Sequence, residues 1–152
     1  MTHAVWEGPV TMAEARAAGL SRRHLDGPVW AAPTRGVRIR QVLLEFDARQ
    51  RIRAIARALP AGAAISGRAA ASLMGVRWFD GDQNVLVIRA LDTSRVRRPG
   101  MTTRRSNLDE GETITIHGVR VTSPQRTAFE LLRTHHFRMP SLLSMPCCMP
   151  AS

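Results

Sequence analysis

Apolar residues fall at helical spacing most clearly over residues 46–59, where Ile52, Ile55, Ala56 and Leu59 share one side, Asp47 is placed as the cap and Pro60 as the stop. The run at 84–89 has a different period. Val85, Leu86, Val87 and Ile88 are apolar without a break, which predicts a buried strand. A shorter strand is predicted over 63–65, followed by a helix over 67–74 with Ser66 at its cap and Gly75 at its end. Residues 113–116 and 119–121 flank His117-Gly118, predicting a hairpin whose turn takes the positive φ that Asn-Gly more often supplies. Ser123-Pro124 then opens a last helix as cap and first helical position. Ala128, Leu131 and Leu132 are expected to bury it, with Phe129 on the flank.

The N-terminal third carries a second pattern. Thr11 is placed to cap a short helix, with Glu14 three residues on to complete a capping box and Met12, Ala15 and Ala18 as a narrow apolar side. Gly19 stops that helix and Ser21 caps a second, so Arg22, Arg23 and His24 fall in its first turn, where a recognition helix meets bases or phosphates. Asp26-Gly27-Pro28 ends it after barely two turns. Trp30 then marks a turn into a basic strand with Arg35, Arg38 and Arg40. Helix, turn, helix and basic strand pair are the outline of a winged helix-turn-helix. With ten residues before Thr11, the first helix of such a unit is expected to be missing.

Charge sharpens this reading. The chain has 152 residues and a net charge of +10, and all 22 of its basic residues are arginine. Such a balance favours polyanions, although the absence of lysine beside alanine-rich text is also what a GC-rich codon bias produces. Residues 11–40 hold six arginines against Glu14 and Asp26, and residues 89–105 hold six against one aspartate. Arg95, Arg97, Arg98, Arg104 and Arg105 therefore form a candidate second basic patch, which Pro99-Gly100 closes as a turn. Arg49, Arg53 and Arg57 line up at i, i+4 and i+8, where like charges repel by a few tenths of a kcal/mol per pair. A bound anion would relieve the repulsion, but with nothing aromatic beside it the row is read as a solvated face.

The missing lysine excludes chemistry. A phosphate-binding P-loop, a kinase core, a Glu-x-Lys nuclease site and a Schiff-base enzyme each need one. The two cysteines, Cys147 and Cys148, are adjacent and match neither a zinc site nor a disulfide framework. No catalytic residue, metal site or cofactor is assigned. His117 is read as a turn residue, and Trp30 and Trp78 as core anchors rather than base platforms. No run approaches the ~18 apolar residues of a membrane span, and the first residues lack the layout of a secretory signal, so a cytoplasmic protein with no membrane partner is expected. Residues 134–152 show no periodicity and three Met-Pro pairs, and are expected to be an irregular or disordered tail, an out-of-frame or degenerate end.

Three blocks in this order, Arg35-Gly36-Val37, then residues 65–75 (ISGRAAASLMG), then residues 119–131 (VRVTSPQRTAFEL), resemble AbiEi-like antitoxin-domain proteins of actinobacteria. The resemblance spans about residues 10–133, and Thr122-Ser123-Pro124-Gln125-Arg126-Thr127 is its most specific part. Gly67 and Ala69 stand where the family has His and Thr, and Glu130 where it has Asp. The resemblance implies an N-terminal DNA-binding winged helix joined to an α/β domain, acting as antitoxin and operator-binding repressor, with double-stranded DNA and a cognate toxin of nucleotidyltransferase type as partners. Long relatives continue into an endonuclease-like domain, whose activity is not transferred to this chain.

The expectation is thus an α+β chain. A winged helix-turn-helix occupies residues 1–42, a small mixed α/β domain 43–133 and a tail 134–152. Its DNA contacts are Ser21, Arg22, Arg23, His24, Arg35, Arg38 and Arg40, phosphate contact being their main role and Arg22 or Arg23 the candidates for guanine. The alternative is a truncated, non-catalytic remnant of a winged-helix plus endonuclease-like protein, serving at most as a protein-interaction module.

Overall fold

The computed structural model describes residues 7–77, 84–91 and 97–135. Trp78, Arg95 and the tail from residue 136 lie outside them. Among the described residues the chain is a mixture of six α-helices and two β-sheets.

The N-terminal unit follows its caps. Strand β1 (Val10–Thr11) runs into α1 (Met12–Ala17) through the expected capping box: Thr11 Oγ1 accepts the Glu14 N–H at 3.2 Å, and Glu14 Oε2 accepts the Thr11 N–H at 2.9 Å. Gly19, at φ +80°, ends the helix in a backbone conformation that glycine adopts freely. Ser21 Oγ accepts the His24 N–H at 3.2 Å to open α2 (Arg22–Leu25). Helix α2 is one turn long, shorter than the nearly two expected. Strands β2 (Trp30–Ala31) and β3 (Val37–Arg40) follow, and the three form an antiparallel sheet in the order β1-β3-β2. Val10, Ala15 and Leu25 are buried together under Met12, Leu20 and Trp30. Ala18, expected on the apolar side of α1, is exposed instead, because α1 ends before its position.

The helix predicted over 46–59 forms from its Asp47 cap, and a helix that was not expected precedes it. Helix α3 (Gln41–Phe46) starts directly from β3 with no side-chain cap, so the boundary expected at residue 42 falls inside it. The chain then breaks at Asp47, whose Oδ1 accepts the Arg49 N–H at 2.9 Å and starts α4 (Ala48–Arg57). Ile52 and Ile55 of α4 belong to the main core, while its other side meets β1 and β3, so α4 joins the two parts of the molecule.

The larger sheet is built from β4 (Ala64–Ser66), β5 (Val85–Arg89), β6 (Met101–Arg105), β7 (Thr113–Ile116) and β8 (Val119–Thr122) in the order β6-β5-β4-β8-β7. Strand β4 lies at the centre, antiparallel to β5 and parallel to β8, with Ile65 opposite both Val87 and Val121. Helix α5 (Gly67–Leu73) follows β4, but Ser66 Oγ does not cap it; that oxygen takes a bond from Thr122 instead. The β7–β8 turn is the predicted one, with His117 at φ +48° and Gly118 at φ +76°. Strand β6 was not expected. Arg104 and Arg105, expected only as members of the second basic patch, lie on it, and its five residues pair one for one with β5.

Helix α6 (Pro124–His135) packs on α5 and β8 with a face rotated from the one its apolar residues predict, of which Leu131 alone is half-buried. Thr127 and Glu130 are buried, whereas Phe129 and Leu132 are 54% and 66% exposed and Ala128 is exposed as well. The reason is a set of buried polar partners, described below. No helix among the described residues is long and apolar enough to cross a membrane.

Candidate nucleic-acid interface

The first turn of α2 presents Arg22 and Arg23 to solvent. Arg22 is 76% exposed in its side chain and stands 3.6 Å from Asp26. His24 sets its ring edge-on against Trp30, with centroids 6.4 Å apart, so Trp30 serves as an anchor for the helix start. Ser21 acts through its cap.

Arg35 sits in the β2–β3 turn beside Gly36 (φ +86°), and its guanidinium makes no hydrogen bond or ion pair among the described residues. Arg38, three residues on, is committed to the fold. Its Nε donates to the Leu25 carbonyl at 3.1 Å, its Nη1 to the Val37 carbonyl at 3.3 Å and its Nη2 to Asp26 Oδ1 at 2.7 Å. The Arg38 hydrogen bond holds the Asp26 carboxyl below the usual range. A side chain so engaged fixes α2 to β3, with three of its five N–H donors spent on the fold and its side chain only 17% exposed. Arg40, half-buried opposite Trp30 in the register, is the residue from which α3 begins.

The second basic patch divides. Arg104 pairs with Glu130 and Arg105 donates to the Leu91 carbonyl, so both hold β6 in place. Arg97 is exposed, and Arg98 Nη1 donates to the Arg35 carbonyl at 2.9 Å. The two basic segments therefore meet at the β2–β3 turn, through Arg35 and Arg98, 63 residues apart in sequence. Gly100 permits the approach: a Cβ there would lie 3.1 Å from the Pro33 carbonyl oxygen and 3.2 Å from Arg51 Nη2.

Arg57 joins the same region, a residue the sequence assigns to a solvated row. Its guanidinium pairs with Glu14, the residue that closes the α1 capping box. That hydrogen bond, with the one from the Thr11 backbone, lowers the Glu14 carboxyl to about 2. A depressed carboxyl contributes stability that is complete above its unfolded value of 4.5 and is lost as pH falls towards 2. Both side chains are nearly half exposed, so solvent screening limits the contribution to about 1 kcal/mol or less. Thermal unfolding followed from pH 6 to pH 2 is expected to show this acid limb weakened in Glu14→Gln.

The most specific block of the sequence does structural work. Ser123 Oγ accepts the Arg126 N–H at 3.3 Å; Thr122 Oγ1 donates to Ser66 Oγ at 3.0 Å and lies 2.7 Å from Thr127 Oγ1. The Arg126 guanidinium reaches both Glu112 oxygens (2.8 and 3.0 Å), Glu130 Oε1 (3.1 Å from Nη2), Ser106 Oγ (2.8 Å) and the Asn107 carbonyl (3.4 Å). This hydrogen-bonding holds Glu112 below the usual carboxylate range. The cluster ties β6, the turn before β7, and α6 together, and buries the polar face of α6. Glu112, its fourth charged member, carries no sequence signal: it becomes visible only when the fold brings it to Arg126.

Grouped guanidiniums hold anions and, being permanently charged, do not exchange protons near neutrality. Among the described residues no three His, Cys, Asp or Glu side chains are grouped to hold a metal. No family model, no curated protein and no solved structure matches this chain.

Proposed function

We propose that the chain is a non-enzymatic DNA-binding regulator whose N-terminal unit is a winged helix. One observation carries the reading: a strand-helix-turn-helix-strand-turn-strand unit, with its sheet in the order β1-β3-β2, exposes Arg22 and Arg23 at the start of its second helix and Arg35 in the turn between its last two strands. Arg38 leaves the set of contacts because its guanidinium is held by three bonds within the fold and is mostly covered, and the exposed Arg97 enters beside the turn. The resemblance to AbiEi-like antitoxin proteins adds the setting, a repressor of a toxin-antitoxin or abortive-infection module with a nucleotidyltransferase-type toxin as partner. The shortness of α2 makes phosphate contact the larger part of the affinity and base reading the smaller.

Four phosphate contacts, from Arg22, Arg23, Arg35 and Arg97, give a log-log salt dependence with a slope of roughly −3.6. A titration against the chain's own upstream DNA and a scrambled duplex measures it, and Arg22→Ala/Arg23→Ala is expected to flatten the slope by about 1.8. Equal, salt-insensitive binding to both duplexes, unchanged in the double variant, rules the reading out. The second reading, a protein-interaction module, is favoured by the outward Phe129 and Leu132 on α6.

A further inference from the structure

Between the β2–β3 turn and the end of α4 lies a cleft of about 310 Å³, and three of the residues around it are arginines drawn from three separate elements: Arg35 from the turn, Arg57 from the last turn of α4 and Arg98 from the segment before β6. Among the described residues no acidic one lines it. Thr11, Leu59 and Pro60 complete the wall with one hydroxyl and an apolar surface. We infer that this cleft is a binding site for a phosphate group.

The charges support that chemistry in a particular way. Arg57 already has a carboxylate, Glu14, which lies outside the cleft lining and fixes the guanidinium from one side. Arg98 is positioned by its bond to the Arg35 carbonyl, which uses Nη1. Arg35 has no such tie among the described residues. Three cations thus converge with one counter-charge among them, so an anion entering the cleft meets uncompensated positive charge at a preformed spot. A tetrahedral dianion or a phosphodiester suits several guanidinium forks better than a planar carboxylate does, because its oxygens project in different directions. The volume, about ten times the roughly 30 Å³ that a water molecule occupies in the liquid, admits such a group with part of its hydration. The bond from Arg98 to the Arg35 carbonyl holds the 97–100 segment close to Pro33, an approach that Gly100 permits at φ +80° because it has no side chain.

The phosphate has two possible sources, the backbone of a nucleic acid and a free phosphate-bearing small molecule. The site itself does not depend on α2 reading DNA. The test follows arginine Nε–H resonances of the full chain during titration with inorganic phosphate, against sodium chloride of matched ionic strength. Saturable shifts with phosphate and not with chloride are expected, weakened about tenfold in Arg35→Gln, the equivalent of one charge-assisted hydrogen bond. Arg35 is exposed and bonded to nothing through its guanidinium, so this variant keeps the fold; Arg98→Gln, which also loses the bond to the turn, is the second variant. A parallel arm adds duplex DNA. Displacement of the duplex by phosphate identifies a nucleic-acid backbone as the source, while phosphate binding that leaves DNA binding untouched, or persists where no duplex binds, identifies a small molecule. Both support the site. Phosphate shifts no larger than those of chloride, or wild-type phosphate affinity in both variants, overturn it. Arg22→Ala/Arg23→Ala separates the two proposals, since it weakens DNA binding through α2 and leaves the phosphate titration unchanged.

Discussion

Replacing Arg126 by alanine is expected to remove about 3–5 kcal/mol of folding stability, read as a fall in the urea midpoint. Glu130 is fully buried and depends on two cations, Arg126 at Oε1 and Arg104 at Oε2. Deleting Arg126 leaves half of that carboxylate without a partner inside the protein, and also takes the partner from Glu112 Oε1 and the Ser106 hydroxyl, while Glu112 Oε2 keeps the Asp109 N–H. The cost comes from the orphaned groups more than from the attraction lost. For that reason Arg126→Met combined with Glu130→Leu is expected to recover part of the loss, because no fully buried charge then remains. A fall below 1 kcal/mol in Arg126→Ala would contradict the clasp as the reason for the buried polar face of α6.

Leu25→Ala is expected to cost about 2–5 kcal/mol and to act locally. Leu25 is fully buried, but it shares its cluster with only Val10 and Ala15 as buried neighbours, separate from the core of the larger sheet. So small a core has little reserve against a lost isobutyl group. Amide hydrogen exchange is the measurement: protection over Val37–Arg40 is expected to fall while that over Val85–Arg89 is retained. Equal loss at both sheets would show one cooperative unit joined through α4. Retained protection at both would show that Met12, Leu20 and Trp30 close over the gap.

Local chemistry is the part of the fold that is legible in the sequence. The capping box at Thr11 and Glu14, the Ser21 cap, the His117-Gly118 turn and the Asp47 cap all depend on residues within four positions of one another, and the structure has each of them. What depends on distant partners is illegible. Strand β6 is hidden because Arg104 and Arg105 mask its pairing propensity, and their guanidiniums are answered by Glu130 and the Leu91 carbonyl on other segments. Helix α6 turns away from its expected face for the same reason: apolar spacing locates a buried side only when no satisfied polar network competes for it. Helix α3 has neither a cap nor a full period to announce it. In the candidate interface, exposure of Arg22, Arg23 and Arg35 follows from their places in turns and caps. The loss of Arg38 to Asp26, and the arrival of Arg57 and Arg98 at the turn, follow from tertiary structure alone.

The central place of β4 has a consequence for the protein's birth. Its partner on one side, β5, emerges soon after it, but its partner on the other is β8, whose Val121 lies opposite Ile65. At about 5–20 residues per second, a ribosome takes several seconds to bring that second partner out. Throughout that interval the middle strand of the sheet has one bare edge, and the N-terminal sheet, complete at Arg40, is already free to form. The nascent chain therefore shows its arginine turn to the outside while its largest hydrophobic surface is still waiting for its last strand, and at that stage a chaperone would find most to hold.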